Sequence, residues 1–208
     1  MPFYRDRIYP RLVDMLGDPS PVRKIRQQII PVAQGKVLEI GAGSGANFVY
    51  YDATRVTKLY ALEPNPGMIQ LAEKQRRRTR PNIEFLDLRG KRIPLQDDTM
   101  DTVVSTFTLC TISRVEDAIG ELARVLKPSG ELIFCELGIS PDPSVQFWQR
   151  LLHPIYHWLF QGLDLTRNMP DLLKQGSFRI KQMETGYLAS FPKSPSYYWS
   201  GIAQLKEQ

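Results

Sequence analysis

The sequence predicts an α/β fold in which a parallel sheet has helices on both faces. Five short apolar runs recur between residues 36 and 137, and segments with helical spacing lie between them. Such alternation favours parallel strands joined by helical crossovers. A glycine-rich turn follows the first run directly, and this is the usual place for a ligand in an open sheet of this kind.

The expected elements follow the chain in order. Strands are predicted over residues 36–40, 58–63, 82–86, 101–106 and 131–137. A helix is predicted over 65–78, because Asn65 suits its cap and Pro66 its first turn. A second helix is predicted over 114–126, where four apolar residues share one face: Ile119, Leu122, Val125 and Leu126. Residues 127–130, Lys-Pro-Ser-Gly, are expected to end that helix and turn into the fifth strand.

Two parts of the chain lie outside this alternation. The N-terminal part is expected to form one or two helices, broken by Pro10 and by the Pro19–Pro21 pair. The last part begins with an aromatic helix over 145–162, which contains Pro154. Two runs of β-rich composition follow it, at 178–188 and 197–205. The chain is interpreted as one domain, 1–208, with a helical cap at 1–33, a core at 35–137 and an acceptor-side part at 140–208.

Composition favours a soluble globular protein. Hydrophobic residues make up 42% and charged residues 24%, and no run approaches the roughly 20 apolar residues of a membrane-spanning helix. The N-terminal segment carries charge throughout, unlike a secretory signal. Cys110 and Cys135 are expected to be buried and reduced, which favours a cytoplasmic location. The basic run at 74–80 is interpreted as a solvated helix end, with no nucleic-acid partner expected.

The glycine turn alone does not identify its ligand. The pattern Gly41-x-Gly43-x-x-Ala46 satisfies the dinucleotide fingerprint, and an acidic residue about 20 positions later, Glu63, suits ribose hydroxyls in any nucleotide. Glu39 distinguishes a dinucleotide from a ligand with an ammonium group, because a carboxylate at the end of the first strand repels a pyrophosphate and attracts an ammonium group. S-adenosylmethionine has an amino-acid tail, a sulfonium and a ribose but no phosphate, and it fits this set better than NAD does.

Four segments carry a resemblance to the class I S-adenosylmethionine-dependent methyltransferases. They are residues 37–45, the Leu62-Glu63-Pro64-Asn65 segment, the fourth-strand motif at 100–105 and the Arg-Val-Leu-Lys-Pro-Ser-Gly stretch at 124–130. The resemblance implies a Rossmann-like, seven-stranded, mostly parallel sheet whose last strand is antiparallel. The cofactor-binding residues expected from it are Glu39, Gly41, Ala42, Gly43, Gly45, Asn47, Glu63, Pro64, Asn65, Met68, Asp87, Leu88 and Thr106.

A narrower resemblance points to the acceptor. Asn47-Phe48, residues 108–112, Phe147-Trp148-Gln149 and residues 163–167 are similar to the membrane-associated thiol methyltransferases of animals. Bacterial phospholipid N-methyltransferases resemble the chain less closely. Methyl transfer to a small lipophilic acceptor is therefore expected, with a thiol favoured and a phospholipid, another amine or a phenol as the alternative.

The chain departs from that group after the third strand. Its relatives often carry an acid there, near the reacting sulfur, whereas this sequence has Leu-Arg-Gly-Lys-Arg at 88–92. Lys91 or Gly90 replaces the acid. The contact to the adenine amine is then expected from backbone groups or from Asp87. The altered loop keeps a non-catalytic cofactor-binding protein open as a rival, and an NAD-dependent oxidoreductase is the other rival.

His153 and His157 are the only histidines, and their spacing places them on one face of the aromatic helix. They are weak candidates for a base that lines the acceptor pocket. No third ligand accompanies them, so no metal site is expected. The same helix and the N-terminal aromatic and basic residues, Phe3, Tyr4, Tyr9, Arg5, Arg7 and Arg11, are predicted to cover the acceptor site and to rest on a membrane surface.

Overall fold

A computed structural model describes residues 9–10, 18–87 and 92–206 of the chain. Its centre is a seven-stranded sheet in the order β3-β2-β1-β4-β5-β7-β6. Strands β1 to β5 pair in parallel, and β7 runs antiparallel to both β5 and β6. This topology confirms the predicted fold class. The strands are β1 Gly35–Ile40, β2 Val56–Leu62, β3 Ile83–Leu86, β4 Met100–Thr106, β5 Leu126–Leu137, β6 Phe178–Tyr187 and β7 Tyr197–Leu205.

Five α-helices accompany the sheet in the described part of the chain. They are α1 Ser20–Ile29, α2 Pro66–Arg76, α3 Val115–Val125, α4 Pro143–Leu159 and α5 Met169–Gln175, with 3-10 turns at Ile30–Val32 and Phe48–Tyr50. The predicted cap of α2 is confirmed, because the Asn65 side chain accepts hydrogen bonds from the backbone N–H groups of Gly67 and Met68. Of the N-terminal aromatic and basic residues, only Tyr9 lies within the described part.

The sheet buries both of its faces, as parallel sheets do. On one face, Leu38 and Val103 pack with α3 and α5 in a single hydrophobic cluster. On the other face, Val37 and Val104 pack with Phe48 and with Ala72 of α2. Neighbouring residues of one strand, such as Val37 and Leu38, therefore pack into the hydrophobic clusters on opposite faces of the sheet.

Two local predictions differ from the structure. The turn expected at 127–130 is wrong, because β5 begins at Leu126, directly after α3. These four residues lie between the pairs Met100–Leu126 and Thr102–Glu131, where the register shifts, so they form an irregularity within the strand. Helix α5 was not predicted. It has only seven residues and is capped by Asn168, which accepts a hydrogen bond from the Asp171 N–H.

Helix α1 lies across the loops that follow β4 and β5. Its Val22 and Ile25 form a hydrophobic cluster with buried Cys135 and Leu188, and Phe107 packs against that cluster. This packing brings the polar side of α1 to the carboxyl ends of the strands, where a ligand would lie.

Helix α4 is attached to the domain by few contacts. Only Val145 and Gln149 are buried on it, and Gln149 accepts a hydrogen bond from the Ser140 N–H and donates to the Gly138 and Ser194 carbonyl oxygens. The apolar face of α4, defined by Phe147, Trp148, Leu151, Ile155 and Trp158, is exposed. Among the described helices, none combines the length and apolar composition needed to cross a membrane.

Candidate active site

A cavity of about 680 Å³ lies at the carboxyl ends of β1, β2 and β4. This is the edge at which ligands bind in open α/β sheets. Eight of the residues predicted to bind a cofactor line it: Gly41, Ala42, Gly43, Glu63, Pro64, Asn65, Met68 and Thr106.

The other five predicted residues do not line this cavity in the described structure. Glu39 and Asn47 are buried beneath the glycine loop. Gly45 has a positive φ, and a Cβ there would collide with the Phe48 ring, so this glycine serves packing. Asp87 is exposed away from the lining, and Leu88 lies outside the described residues.

Glu63 joins the loops after β1 and β2. One carboxylate oxygen accepts a hydrogen bond from the Gly43 N–H at 2.8 Å, and the other accepts one from the Asn65 N–H at 2.8 Å. Burial raises the pKa of Glu63, and the two backbone bonds oppose that rise. A carboxylate accepts about four hydrogen bonds, so Glu63 retains capacity for hydroxyl donors in the cavity. A Cβ on Gly43 would have only the Gly41 carbonyl oxygen near it, at 3.8 Å, which leaves the loop open to close approach.

Glu39 has its own partners. Its carboxylate oxygens accept hydrogen bonds from Asn47 Nδ2 at 2.9 Å and from the Tyr51 hydroxyl at 2.8 Å. Burial raises the pKa of Glu39 to about 7, although both hydrogen bonds and the charge of Arg26 favour the ionised form. Asn47 Nδ2 also donates to Thr106 Oγ1 at 3.0 Å. Glu39 thus supports the glycine loop from below.

Arg26 is a site residue that sequence reasoning missed. It extends from α1 into the cavity lining, and its guanidinium donates to the side-chain oxygen Oδ1 of Asn47 and to Thr106 Oγ1, the latter at 3.4 Å. Asp18 lies 3.3 Å from its Nε, and the Phe107 ring centroid is 5.7 Å from its Cζ. Nothing in the sequence marks it, because it is one of several basic residues on a short amphipathic helix.

Glu136 was also missed, and it fixes the loop after β4. The fully buried carboxylate accepts hydrogen bonds from Ser105 Oγ at 2.6 Å, the Thr108 N–H at 3.2 Å and the Cys110 N–H at 3.1 Å. Burial raises the pKa of Glu136, and these donors oppose that rise. The loop also includes Phe107, which lines the cavity with φ at +54°. A left-handed backbone costs a non-glycine residue about 1–2 kcal/mol, so the Glu136 bonds help to maintain it.

The far end of the cavity is lined by elements outside the cofactor motifs. They come from the second half of the loop after β4, which leads into α3, and from the two residues that follow α4: Thr111, Ile112, Ser113, Arg114, Phe160 and Gln161.

Neither histidine is among the lining residues. His153 lies on α4 with its Nδ1 at 3.5 Å from the Asp164 carboxylate, which also pairs with Arg167. His157 is exposed, with its ring 5.5 Å from that of His153. The structure therefore gives no support to a histidine base in the acceptor pocket.

Comparison with known proteins agrees with this geometry. Residues 38–134 match the family model described as a methyltransferase domain. Human thiol S-methyltransferase TMT1B is 36% identical over 174 residues, which cover 79% of this chain and 70% of that protein. Human thiol S-methyltransferase TMT1A is 34% identical over 154 residues, 71% of this chain, and the alignment spans only 62% of that relative's length.

A solved structure gives the same fold. The S-adenosylmethionine-dependent methyltransferase from Aquifex aeolicus superposes with a TM-score of 0.65 at 20% identity, covering 95% of this chain and 98% of that one.

The Glu39 environment generates a prediction about stability and pH. The pKa of Glu39 is about 7 in the folded chain, against 4.5 for an unperturbed glutamate. Between these pH values Glu39 is ionised in the unfolded chain but keeps its proton in the folded chain. The contribution of Glu39 to stability therefore falls as pH rises. Relative to Glu39→Gln, the wild type should lose roughly 3 kcal/mol of unfolding free energy from pH 4.5 to pH 7.

Urea unfolding of both proteins across this pH range measures the difference. Glu116→Gln, at an exposed position on α3, is the control for the loss of a surface carboxyl group, and its comparison with Glu39→Gln isolates what burial contributes. Parallel stability curves for the wild type and Glu39→Gln would contradict the assigned environment of Glu39.

Proposed function

The chain belongs to the class I S-adenosylmethionine-dependent methyltransferase family, and on that premise we propose that it transfers a methyl group to a small lipophilic acceptor, with a thiol favoured. The observation that carries the proposal is the single cavity in which Gly43 and Glu63 are bonded to each other at one end and Phe160 contributes an aromatic wall at the other. When bound, S-adenosylmethionine supplies a methyl group activated on a sulfonium and leaves as S-adenosylhomocysteine.

The residues present fit this cofactor better than they fit a dinucleotide. Glu63 is fixed by two backbone bonds and retains lone pairs for ribose hydroxyls. Glu39 and Glu63 place two carboxyl groups around the glycine loop, an environment that disfavours a pyrophosphate. These features support the cofactor assignment and disfavour the oxidoreductase alternative.

We assign the amino-acid tail of the cofactor to the Arg26 end of the cavity. Arg26 is 14% exposed, lines the cavity, and offers a guanidinium suited to a carboxylate. Glu39 lies outside the lining itself; it favours the ammonium group by holding Asn47 in place and, above about pH 7, by its negative charge. The two ends of a zwitterionic tail are thereby matched by opposite charges.

A thiol acceptor suits the far end because no general base is required there. A thiol as acidic as that of cysteine, with a pKa of about 8.5, is partly ionised near neutral pH, whereas an amine or phenol benefits from a base. The residues that line this end position the acceptor and exclude water through apolar contacts from Ile112, Phe107 and Phe160. Alignment of the two reactants then supplies much of the rate enhancement.

The apolar face of α4 supports peripheral contact with a membrane. Its five members, spaced along one side of the helix, are each more than half exposed, and Trp158 is 72% exposed. Helices of this kind lie in the interface with the apolar face toward lipid. The helix ends at Leu159, and the next two residues, Phe160 and Gln161, line the cavity, so a lipophilic acceptor would have a short path from the bilayer.

Release of S-adenosylhomocysteine tests the proposed function directly. Incubation with S-adenosylmethionine and a panel of thiols, amines and phenols should give turnover with apolar, acidic thiols such as thiophenol. Calorimetry should show binding of S-adenosylmethionine and none of NAD. Turnover with amines alone would contradict the thiol assignment, and cofactor binding without any turnover would favour a non-catalytic binder.

The tail assignment predicts a selective loss of affinity. At pH 8, where Glu39 is ionised, Arg26→Gln and Glu39→Gln should each weaken the binding of S-adenosylmethionine and S-adenosylhomocysteine about 10-fold or more, because each removes a charge-assisted interaction. Neither should change the affinity for 5′-methylthioadenosine, which has the adenosine but lacks the tail. Glu63→Ala is the matched control and should weaken all three ligands to a similar extent. If Arg26→Gln weakened the binding of 5′-methylthioadenosine as much as that of S-adenosylmethionine, the arginine would act on the glycine loop as a whole rather than on the tail.

The membrane assignment predicts that α4 governs vesicle binding. The full chain should co-sediment with anionic vesicles, and the Ile155→Ser, Trp158→Ser double variant should remain in the supernatant. Phe191→Ser is the control, since Phe191 is also exposed, at 41%, but lies outside α4. If the wild type does not sediment at low salt, or if the double variant sediments equally well, α4 is only a lid or a packing element.

A further inference from the structure

Gln161 has a backbone conformation that is unfavourable for its side chain. It follows Phe160, the C-terminal cap of α4, and has φ at +51°. Glycine is the usual residue at this position, and a side chain there costs about 1–2 kcal/mol. Strain of this kind, next to a cavity, is an indication of function.

The Gln161 amide is also unusual. Its nitrogen is buried and has no hydrogen-bond partner within the described ranges, and the residue is one of those that line the cavity. An unsatisfied buried amide costs about 1–3 kcal/mol. The chain therefore carries two unfavourable features at one residue, and a ligand that accepts a hydrogen bond would relieve the second.

The end of α4 is held firmly, so the amide has a defined position. A Cβ on Gly162 would lie 2.4 Å from the Thr111 carbonyl oxygen, which shows how closely the two segments approach. The Asp164 N–H donates to the Cys110 carbonyl oxygen at 2.8 Å, and Arg167 donates to that of Leu109 at 2.5 Å. Gln161 is thus attached to the loop after β4, which Glu136 fixes from the other side.

Charged groups near this end are paired with each other. Arg114 and Asp117 both line the cavity and form an ion pair at 2.7 Å. Glu121 pairs with Arg124 at 2.7 Å. The surroundings of Gln161 are therefore apolar or internally neutralised, and they suit an uncharged molecule better than an ammonium-bearing or zwitterionic one.

We propose that Gln161 is the polar anchor of an acceptor subsite formed with Thr111, Ile112, Ser113 and Phe160. The subsite takes an uncharged molecule with an apolar body and one hydrogen-bond-accepting atom, to which the Gln161 amide donates. This assignment rests on the proposed methyl transfer and specifies the class of acceptor for it.

A matched pair of probe ligands tests the anchor without turnover. Methyl phenyl sulfide and methyl phenyl sulfoxide share one skeleton, but only the sulfoxide has a strongly accepting oxygen. Their affinities for the wild type and for Gln161→Leu, both saturated with S-adenosylhomocysteine, are measured by NMR titration. The sulfoxide should bind Gln161→Leu about 3- to 10-fold more weakly, the effect of one hydrogen bond, and the sulfide should change less than twofold.

Glycine variants separate the anchor from a packing role. Ser177 has φ at +72° at an exposed position outside the cavity lining, so Ser177→Gly is the control for Gln161→Gly. Both variants should raise Tm by about 2–4 °C, because each removes backbone strain. Only Gln161→Gly should also weaken the binding of methyl phenyl sulfoxide. A fall in Tm for Gln161→Gly would identify the side chain as a packing element and overturn the proposal.

Failure of the anchor is distinguishable from failure of the proposed function. If the wild type binds S-adenosylhomocysteine and methylates thiophenol, yet the two probes lose affinity equally in Gln161→Leu, the anchor is overturned and the methyltransferase function stands. Absence of probe binding to the wild type also overturns the anchor. If S-adenosylhomocysteine does not bind, the proposed function and the anchor are both overturned.

Discussion

Three buried carboxylates stand at or near the carboxyl ends of parallel strands, and each is held by hydrogen-bond donors from a neighbouring loop. Glu39 binds Asn47 and Tyr51, Glu63 binds two backbone N–H groups, and Glu136 binds the loop after β4. A buried carboxylate costs several kcal/mol unless it is hydrogen-bonded, so these loops are constrained to satisfy the carboxylates. The shape of the cavity is largely a consequence of that constraint.

The elements that close the cavity are attached to these same loops. Arg26 brings α1 onto Asn47 and Thr106, and Asp164 brings the end of α4 onto Cys110. The cofactor end of the cavity and the end proposed for the acceptor are therefore parts of one hydrogen-bonded framework. A change at Glu136 would alter both ends, because the loop after β4 lies between them.

Helix α4 combines a polar attachment with an apolar outer face. Gln149 holds it by three hydrogen bonds to backbone groups, and few apolar contacts anchor it to the core. The apolar face of α4 is left exposed at the side of the molecule where the cavity has its aromatic wall. The proposed membrane contact and the proposed lipophilic acceptor thus rest on the same arrangement.

The sequence by itself determined the α/β class, most strands and the helix cap at Asn65, because these depend on local apolar periodicity and on short-range hydrogen bonds. It also placed the glycine turn and Glu63 at one ligand site, because their spacing matches a known nucleotide-binding pattern. It did not reveal Arg26, whose partners lie 21 and 80 positions away, or Glu136, whose partners lie up to 31 positions away. It also placed Glu39 among the ligand contacts, although the structure gives that carboxylate partners of its own. Only the tertiary structure decided these roles, because the function of a buried polar side chain depends on which distant groups replace its lost water.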